Sequence, residues 1–169
     1  YGLSDTSAKF LEFENKENIT TPAKRICLFA CYSANGTIAD ETVYLLEKIR
    51  SISDAIILVG DCGINPAEYE KIKHLIFYAK FERHLEYDFG SYKRAFAYAE
   101  KENLLSDASE ILVCNDSIVG PCGDINDFFL ERQKDGNPNF YGITVNNFGF
   151  RNISSNGNSL FSPHILRYF

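Results

Sequence analysis

The 169 residues carry a formal net charge of −6, with 45 % apolar and 24 % charged side chains, enough to bury one domain core. An isoelectric point near 5.1 and no Lys/Arg stripe exclude nucleic acid as a partner, because a phosphate backbone is met by a basic footprint. The five cysteines, Cys27, Cys31, Cys62, Cys114 and Cys122, form no C-x-x-C pair, which argues against a structural zinc site. They read instead as small buried hydrophobes in a reducing compartment. No apolar run reaches the roughly 18–20 residues of a membrane span and no signal peptide is evident, so a cytoplasmic location is expected. The 14 % of aromatic residues are Tyr and Phe alone, and with no Met in the sequence the chain reads as an excised piece of a longer product or as a chain stripped of its start.

Residues 1–23 lack clean periodicity and read as a leader or a connection to a preceding domain, leaving 24–169 as the domain proper. Arg25-Ile26-Cys27-Leu28-Phe29-Ala30-Cys31 is a continuous apolar run, as expected of a strand covered on both faces. Asn35-Gly36 turns the chain and Asp40 can cap a helix over Glu41–Ser51. Its positions Val43, Leu46 and Ile49, with Leu45 and Ile52 beside them, face the sheet. Ala55–Val59 is a second buried strand, and Asn65-Pro66 predicts a cap and first position of a helix continuing to Ala79. A short strand is expected within Lys80–Leu85, and a helix from a Ser91 cap to Glu100 with Ala95, Phe96 and Ala99 inward. The strand Glu110–Cys114, a helix from Asp124 to Lys134 stopped near Gly136, and a strand over Asn139–Val145 complete the order. Alternating strands and helices predict an α/β fold, a three-layer α/β/α sandwich around a mostly parallel sheet. Ligands of such sheets bind beyond the carboxyl ends of the strands, where Tyr32-Ser33, Gly60-Asp61, Asp88 to Lys93 and Asn115 to Ser117 collect.

Two of these clusters can carry chemistry. The strand ending in Asn115-Asp116-Ser117 delivers a carboxylate that can hold Mg²⁺ or Mn²⁺ while diphosphate oxygens and water fill its other positions. The plain alternative is that Asp116 caps a turn before Gly120-Pro121. Asp88-Phe89-Gly90-Ser91-Tyr92-Lys93 opens a predicted helix, where Gly90 permits close approach, Ser91 and free N–H groups suit an anion, and Lys93 adds a positive charge. Here the alternative is an ordinary cap with a solvated lysine. His74 and His84 read as structural or solvated.

The runs Tyr87-Asp88-Phe89-Gly90-Ser91-Tyr92-Lys93 and Cys114-Asn115-Asp116-Ser117-Ile118-Val119-Gly120-Pro121 resemble signatures of the rhamnan-synthesis F family. Phe140-Tyr141-Gly142-Ile143-Thr144 and His164-Ile165-Leu166-Arg167-Tyr168-Phe169 are similar to its later motifs. The resemblance spans roughly Arg25 to Phe169. It implies a GT-A-like (Rossmann-like) glycosyltransferase domain moving a sugar, such as rhamnose or another deoxysugar, from a nucleoside-diphosphate donor to a bacterial surface polysaccharide. It further implies a polysaccharide or lipid-linked glycan acceptor and peripheral association with membrane assembly machinery. By the resemblance, Asn115-Asp116-Ser117 occupies the place of an Asp-X-Asp metal motif whose first carboxylate is replaced by Asn115. Asp116 becomes the main metal or donor contact. Asp88 and Lys93 line the donor pocket, Tyr32 and Ser33 adjoin the nucleobase and ribose, and Asp61 is a base or ribose contact. His164 is an acceptor-side residue, and the chain ends inside that motif. No carboxylate between Ser117 and Phe169 stands out as a catalytic base, since Asp124 and Asp127 suit a helix N-terminus. The rival readings are a non-catalytic domain of the same fold that binds glycan or partner enzymes, and a flavodoxin-like or phosphotransfer module. The latter needs acidic neighbours that Asp61 lacks in sequence.

Overall fold

The computed structural model describes residues 7–142, which divide into two compact units meeting at Gly120–Pro121. The first unit holds a five-stranded, mostly parallel sheet. Its strands are β1 (Leu11–Glu14), β2 (Arg25–Cys31), β3 (Ala55–Gly60), β4 (Tyr78–Phe81) and β5 (Glu110–Asn115), in the spatial order β1-β4-β3-β2-β5. Between them run α1 (Asp40–Ile52), α2 (Pro66–Tyr69) and α3 (Tyr87–Lys101), and α4 (Asn126–Lys134) belongs to the second unit.

The apolar runs read as covered strands are covered. Every residue of β3 is buried, as are the five central residues of β2. Successive strand side chains point to opposite faces, so Ile26, Leu28, Ala55, Ile57 and Val59 share one face, where they meet Ala95 and Ala99 of α3. The alternate set, Cys27, Phe29, Ile56 and Leu58, is buried on the other face, and α1 packs against β3 with Leu45, Leu46 and Ile49 buried.

Several local expectations give way to tertiary context. The helix expected up to Ala79 lasts only to Tyr69. Tyr69, Ile72 and Leu75 recur every three residues, which suits the i→i+3 turns seen at Ile72 N–H to Tyr69 O and Leu75 N–H to Ile72 O. The strand expected after Lys80 begins at Tyr78 instead, because pairing with Ile57 to Gly60 of β3 buries the run that follows. Helix α1 starts behind Ala39, which has no side-chain cap, and Asp40 is its first residue. Helix α3 starts at Tyr87, a turn before Ser91, and Phe96 is 41 % exposed. Strand β5 is not covered on both faces, since Ile111 is 44 % and Val113 52 % exposed at the sheet's edge. Asn65 does cap α2, accepting the Ala67 N–H at 3.0 Å, with Pro66 first in the helix.

The segment 1–23 contributes an edge strand. Phe13 of β1 stacks on Tyr69 at 3.9 Å, and Glu12 and Glu14 accept hydroxyl hydrogens from Tyr78 and Tyr98 at 2.9 and 2.6 Å. The antiparallel pairing of Leu11 with Phe81 and Glu14 with Tyr78 closes that edge. In the second unit, Asp124 accepts the Asn126 N–H at 2.9 Å ahead of α4, and Gly136 follows its end at φ +82°. Residues 139–142 are not strand, and the remainder of the strand expected there lies outside the described residues. Among the described residues no helix is long and apolar enough to cross a membrane.

Candidate functional site

Chain order steps from β2 through β3 to β4 on one side and then returns to place β5 on the other side of β2. At such a reversal the loops leaving neighbouring parallel strands diverge, opening a crevice at their carboxyl ends. A cleft of about 380 Å³ lies there. Tyr32 and Ser33 line it after β2, Cys62 after β3, and Asp116 and Ser117 after β5. Asp88, from the first turn of α3, adds a second carboxylate.

The two lobes of the crevice are tied together by Asp116, whose Oδ2 accepts the Tyr32 N–H at 2.8 Å. Its own N–H donates to Ala30 O at 3.2 Å. Burial pushes the Asp116 carboxyl above its ordinary value, the Tyr32 N–H pulls it down, and the charge on Asp88 pushes it up again. Asn115 presents its amide to the same place, donating from Nδ2 to Asp88 Oδ2 at 2.7 Å. Among the described residues no group of three or more His, Cys, Asp or Glu could hold a metal by itself. Asp88 and Asp116 are the pair that could share a cation with an incoming ligand.

Asp61 is close by but occupied. Its Oδ1 accepts the N–H groups of His84 and Leu85 at 2.8 and 3.1 Å. Burial opposes the Asp61 charge, but those two N–H groups and the nearby Arg83 outweigh it and hold the carboxyl below its ordinary value. His84 receives the Glu86 N–H on Nδ1 at 3.2 Å, which leaves Nε2–H to donate to the buried Ser91 Oγ at 3.0 Å. With that tautomer Ser91 is a hydrogen-bond acceptor, so Asp61, His84 and Ser91 form a brace and not a nucleophile relay. The brace holds a strained backbone: Leu85 and Tyr87 stand at φ +61° and +55°. Gly90 belongs to the same arrangement, since a Cβ there would come 2.9 Å from His84 Nδ1 and 2.3 Å from Glu86 Cβ. The group that approaches Gly90 is therefore this chain's own loop.

The structure thus brings Tyr32, Ser33, Asp88, Asp116 and Ser117 to one cleft, with Asn115 hydrogen-bonded at its edge. Asp61, Gly90 and Ser91 support the α3 end of it, and Lys93 is exposed on α3 outside the lining. His164 lies outside the described residues. The sequence reading missed Ala39 and Thr42 at the start of α1, Thr37 before it, and the thiols of Cys31 and Cys62. The Asn35-Gly36 turn was the available signal for the first three: Ser33 Oγ accepts the Thr37 N–H at 2.9 Å and folds that loop over the cleft's end. Arg83 was also passed over, and its guanidinium lies 5.4 Å from the Tyr32 ring centre.

The family model for Rhamnan synthesis protein F matches residues 56–169, more than half of the chain. No curated protein and no solved structure matches it.

Proposed function

The chain belongs to the rhamnan synthesis protein F family, a polysaccharide-biosynthesis family, and from that premise we propose a glycosyltransferase domain whose cleft binds a nucleoside-diphosphate sugar. The observation that carries this reading is Asp116. It follows β5, bonds the Tyr32 N–H just after β2, and faces Asp88 across the place where α/β sheets hold nucleotides. In this reading the helices and sheet form the GT-A type of three-layer sandwich. Tyr32 and Ser33 adjoin the nucleoside, and Ala39, which leaves the start of α1 without a side-chain cap, turns backbone N–H groups toward the diphosphate.

Two carboxylates whose charges oppose each other in a half-buried cleft suit a divalent cation, Mg²⁺ or Mn²⁺, with diphosphate oxygens completing its coordination. Bound there, the cation would offset the charge gathering on the leaving diphosphate. Asp116 and Asp88 would hold it, Asn115 would keep Asp88 in place through its amide, and the cleft would orient the sugar for the acceptor hydroxyl. The sugar is a deoxysugar such as rhamnose. The acceptor is a surface polysaccharide or its lipid-linked precursor, reached at the inner face of the membrane.

A second reading is favoured by Asn115, an uncharged amide where a carboxylate would strengthen cation binding: the cleft binds a nucleotide sugar or glycan without turnover. Thermal-shift binding of dTDP, UDP and GDP, with and without Mn²⁺, tests the first reading. A nucleotide at 100 times its dissociation constant should add about 2.7 kcal/mol of stability. Cation-dependent stabilisation that disappears in Asp116→Ala supports the donor site. A folded protein stabilised by no nucleotide counts against it, and binding without sugar transfer or donor hydrolysis favours the second reading.

A further inference from the structure

The wall of the cleft that leads into α1 is the run Thr37-Ile38-Ala39, which belongs to neither helix nor strand. Without a ladder to hold it, such a segment depends on other partners for its main-chain groups. Ile38 is buried, and both of its main-chain polar groups are taken by charged side chains that do not themselves line the cleft. Its N–H donates to Glu68 Oε2 at 2.9 Å, and its carbonyl oxygen accepts from Lys71 Nζ at 3.4 Å. Lys71 Nζ also donates to the same Glu68 oxygen at 2.7 Å, so the carboxylate, the ammonium and the main chain of Ile38 form one closed ring of contacts. Lys71 and the Ile38 N–H together hold the Glu68 carboxyl below its ordinary value, which keeps it charged near neutral pH. The base of this grip is itself anchored. Asn65, which caps α2, donates its N–H to Gly36 O at 2.9 Å, and Ile64 exchanges two hydrogen bonds of 2.8 Å with Lys9.

We propose, on the donor-site reading above, that Glu68 and Lys71 are positioning residues for the nucleoside diphosphate: by gripping Ile38 they keep the Thr37–Ala39 wall in its binding form. Neither side chain touches the ligand. Released from the grip, the wall occupies its binding form only part of the time, and apparent affinity falls by that fraction. Glu68 carries more of the effect than Lys71, because its contact with the Ile38 peptide is the shorter of the two. A pair that served only the fold would change the unfolding midpoint and leave the affinity of the folded protein as it was.

The test uses the folded full chain with Mn²⁺ and whichever of dTDP, UDP and GDP it binds. Calorimetry gives the dissociation constant, and NMR gives the exchange rate of the Ile38 amide hydrogen. Glu68→Ala should speed Ile38 exchange while the amides of β2 and β3 stay protected, and should weaken binding about tenfold, as for a wall in its binding form about a tenth of the time. Glu68→Gln keeps an oxygen for the Ile38 N–H and should recover most of the affinity. Lys71→Met leaves Glu68 in place and should weaken binding less, and it carries the test should Glu68→Ala fail to fold. Native affinity in a folded variant whose Ile38 amide has been released would overturn the inference. So would an Ile38 exchange rate that does not change, or Glu68→Gln binding as weakly as Glu68→Ala. A native protein that binds none of the three nucleotides would instead overturn the donor-site reading, and this inference with it.

Discussion

Asp61 and Asp116 have similar surroundings in sequence, each following a strand, but opposite electrostatic fates. Asp61 has its carboxyl held down by two backbone N–H groups, so its charge contributes stability that is present above the unfolded carboxylate range and is lost as pH falls through its depressed folded value. Asp61→Ala strands the N–H groups of His84 and Leu85 and should cost about 2–4 kcal/mol in urea unfolding near neutral pH. Asp61→Asn retains the oxygen that accepts both and should cost less than half of that. A loss as large in Asn as in Ala would mean that charge, and not geometry, is what Asp61 supplies. Asp116 has the opposite sign. Its folded value is raised, so the fold is best accommodated with Asp116 protonated, and that contribution fades as pH rises through the raised value. Asp116→Asn keeps an acceptor for the Tyr32 N–H and removes the repulsion with Asp88. It should leave the ligand-free protein as stable or more so near neutral pH, by on the order of 0.5 kcal/mol after solvent screening, with the gain shrinking in acid. Cation-dependent nucleotide binding should be lost in the same variant. A clearly destabilised Asp116→Asn would show that the carboxylate serves the fold and not a ligand.

Helix α3 is the element on which the cleft's geometry depends, because its first turn presents Asp88 and its buried stripe of Ala95 and Ala99 sets its height over β2 and β3. Alanine is the better helix former by about 1 kcal/mol, yet Gly90→Ala would press a methyl against His84 and Glu86. The expected net result is destabilisation of about 1–3 kcal/mol, read from the urea midpoint, together with weaker nucleotide binding. A stabilised variant would show that the loop from Glu82 to Glu86 yields easily. That loop is also clamped by Arg94, which reaches Glu86 and Glu82 at 2.8 Å each. Its positive-φ residues were not legible in the sequence, where Leu85 and Tyr87 carry no glycine or asparagine signal. Helix α2 shows the reverse: its cap and proline were read from Asn65-Pro66, but its length was decided by whether the next residues gain more from β3 than from another turn.

For the whole molecule, the testable feature is the division at Gly120–Pro121. Residues 116–125 contain neither helix nor strand, and Val119 is 80 % exposed. Limited proteolysis followed by mass spectrometry should place the first cut within this stretch. A first cut inside α1 or α3 would contradict the compactness of the first unit.

The sequence by itself determined the mostly parallel sheet, since the runs 26–30 and 55–59 are apolar at every position and only a strand covered on both faces buries them all. It also determined which loops carry the polar residues of Tyr32-Ser33 and Asn115-Asp116-Ser117, because a strand's carboxyl end is fixed by chain direction. The later motifs were legible as sequence; the His164 to Phe169 run, with Ile143 and Thr144, lies outside the described residues. Only the tertiary structure decided which of those residues meet. Strand order is a long-range outcome of packing, and it brings β5 beside β2, so that Asp116 reaches Tyr32 across 84 residues of chain. It likewise turned Asp61 and Ser91 inward to brace His84 and made residues 11–14 an edge strand. Apart from the His84–Ser91 bond, which spans seven residues, the deciding interaction joins residues far apart in sequence, and local propensity has no access to such partners.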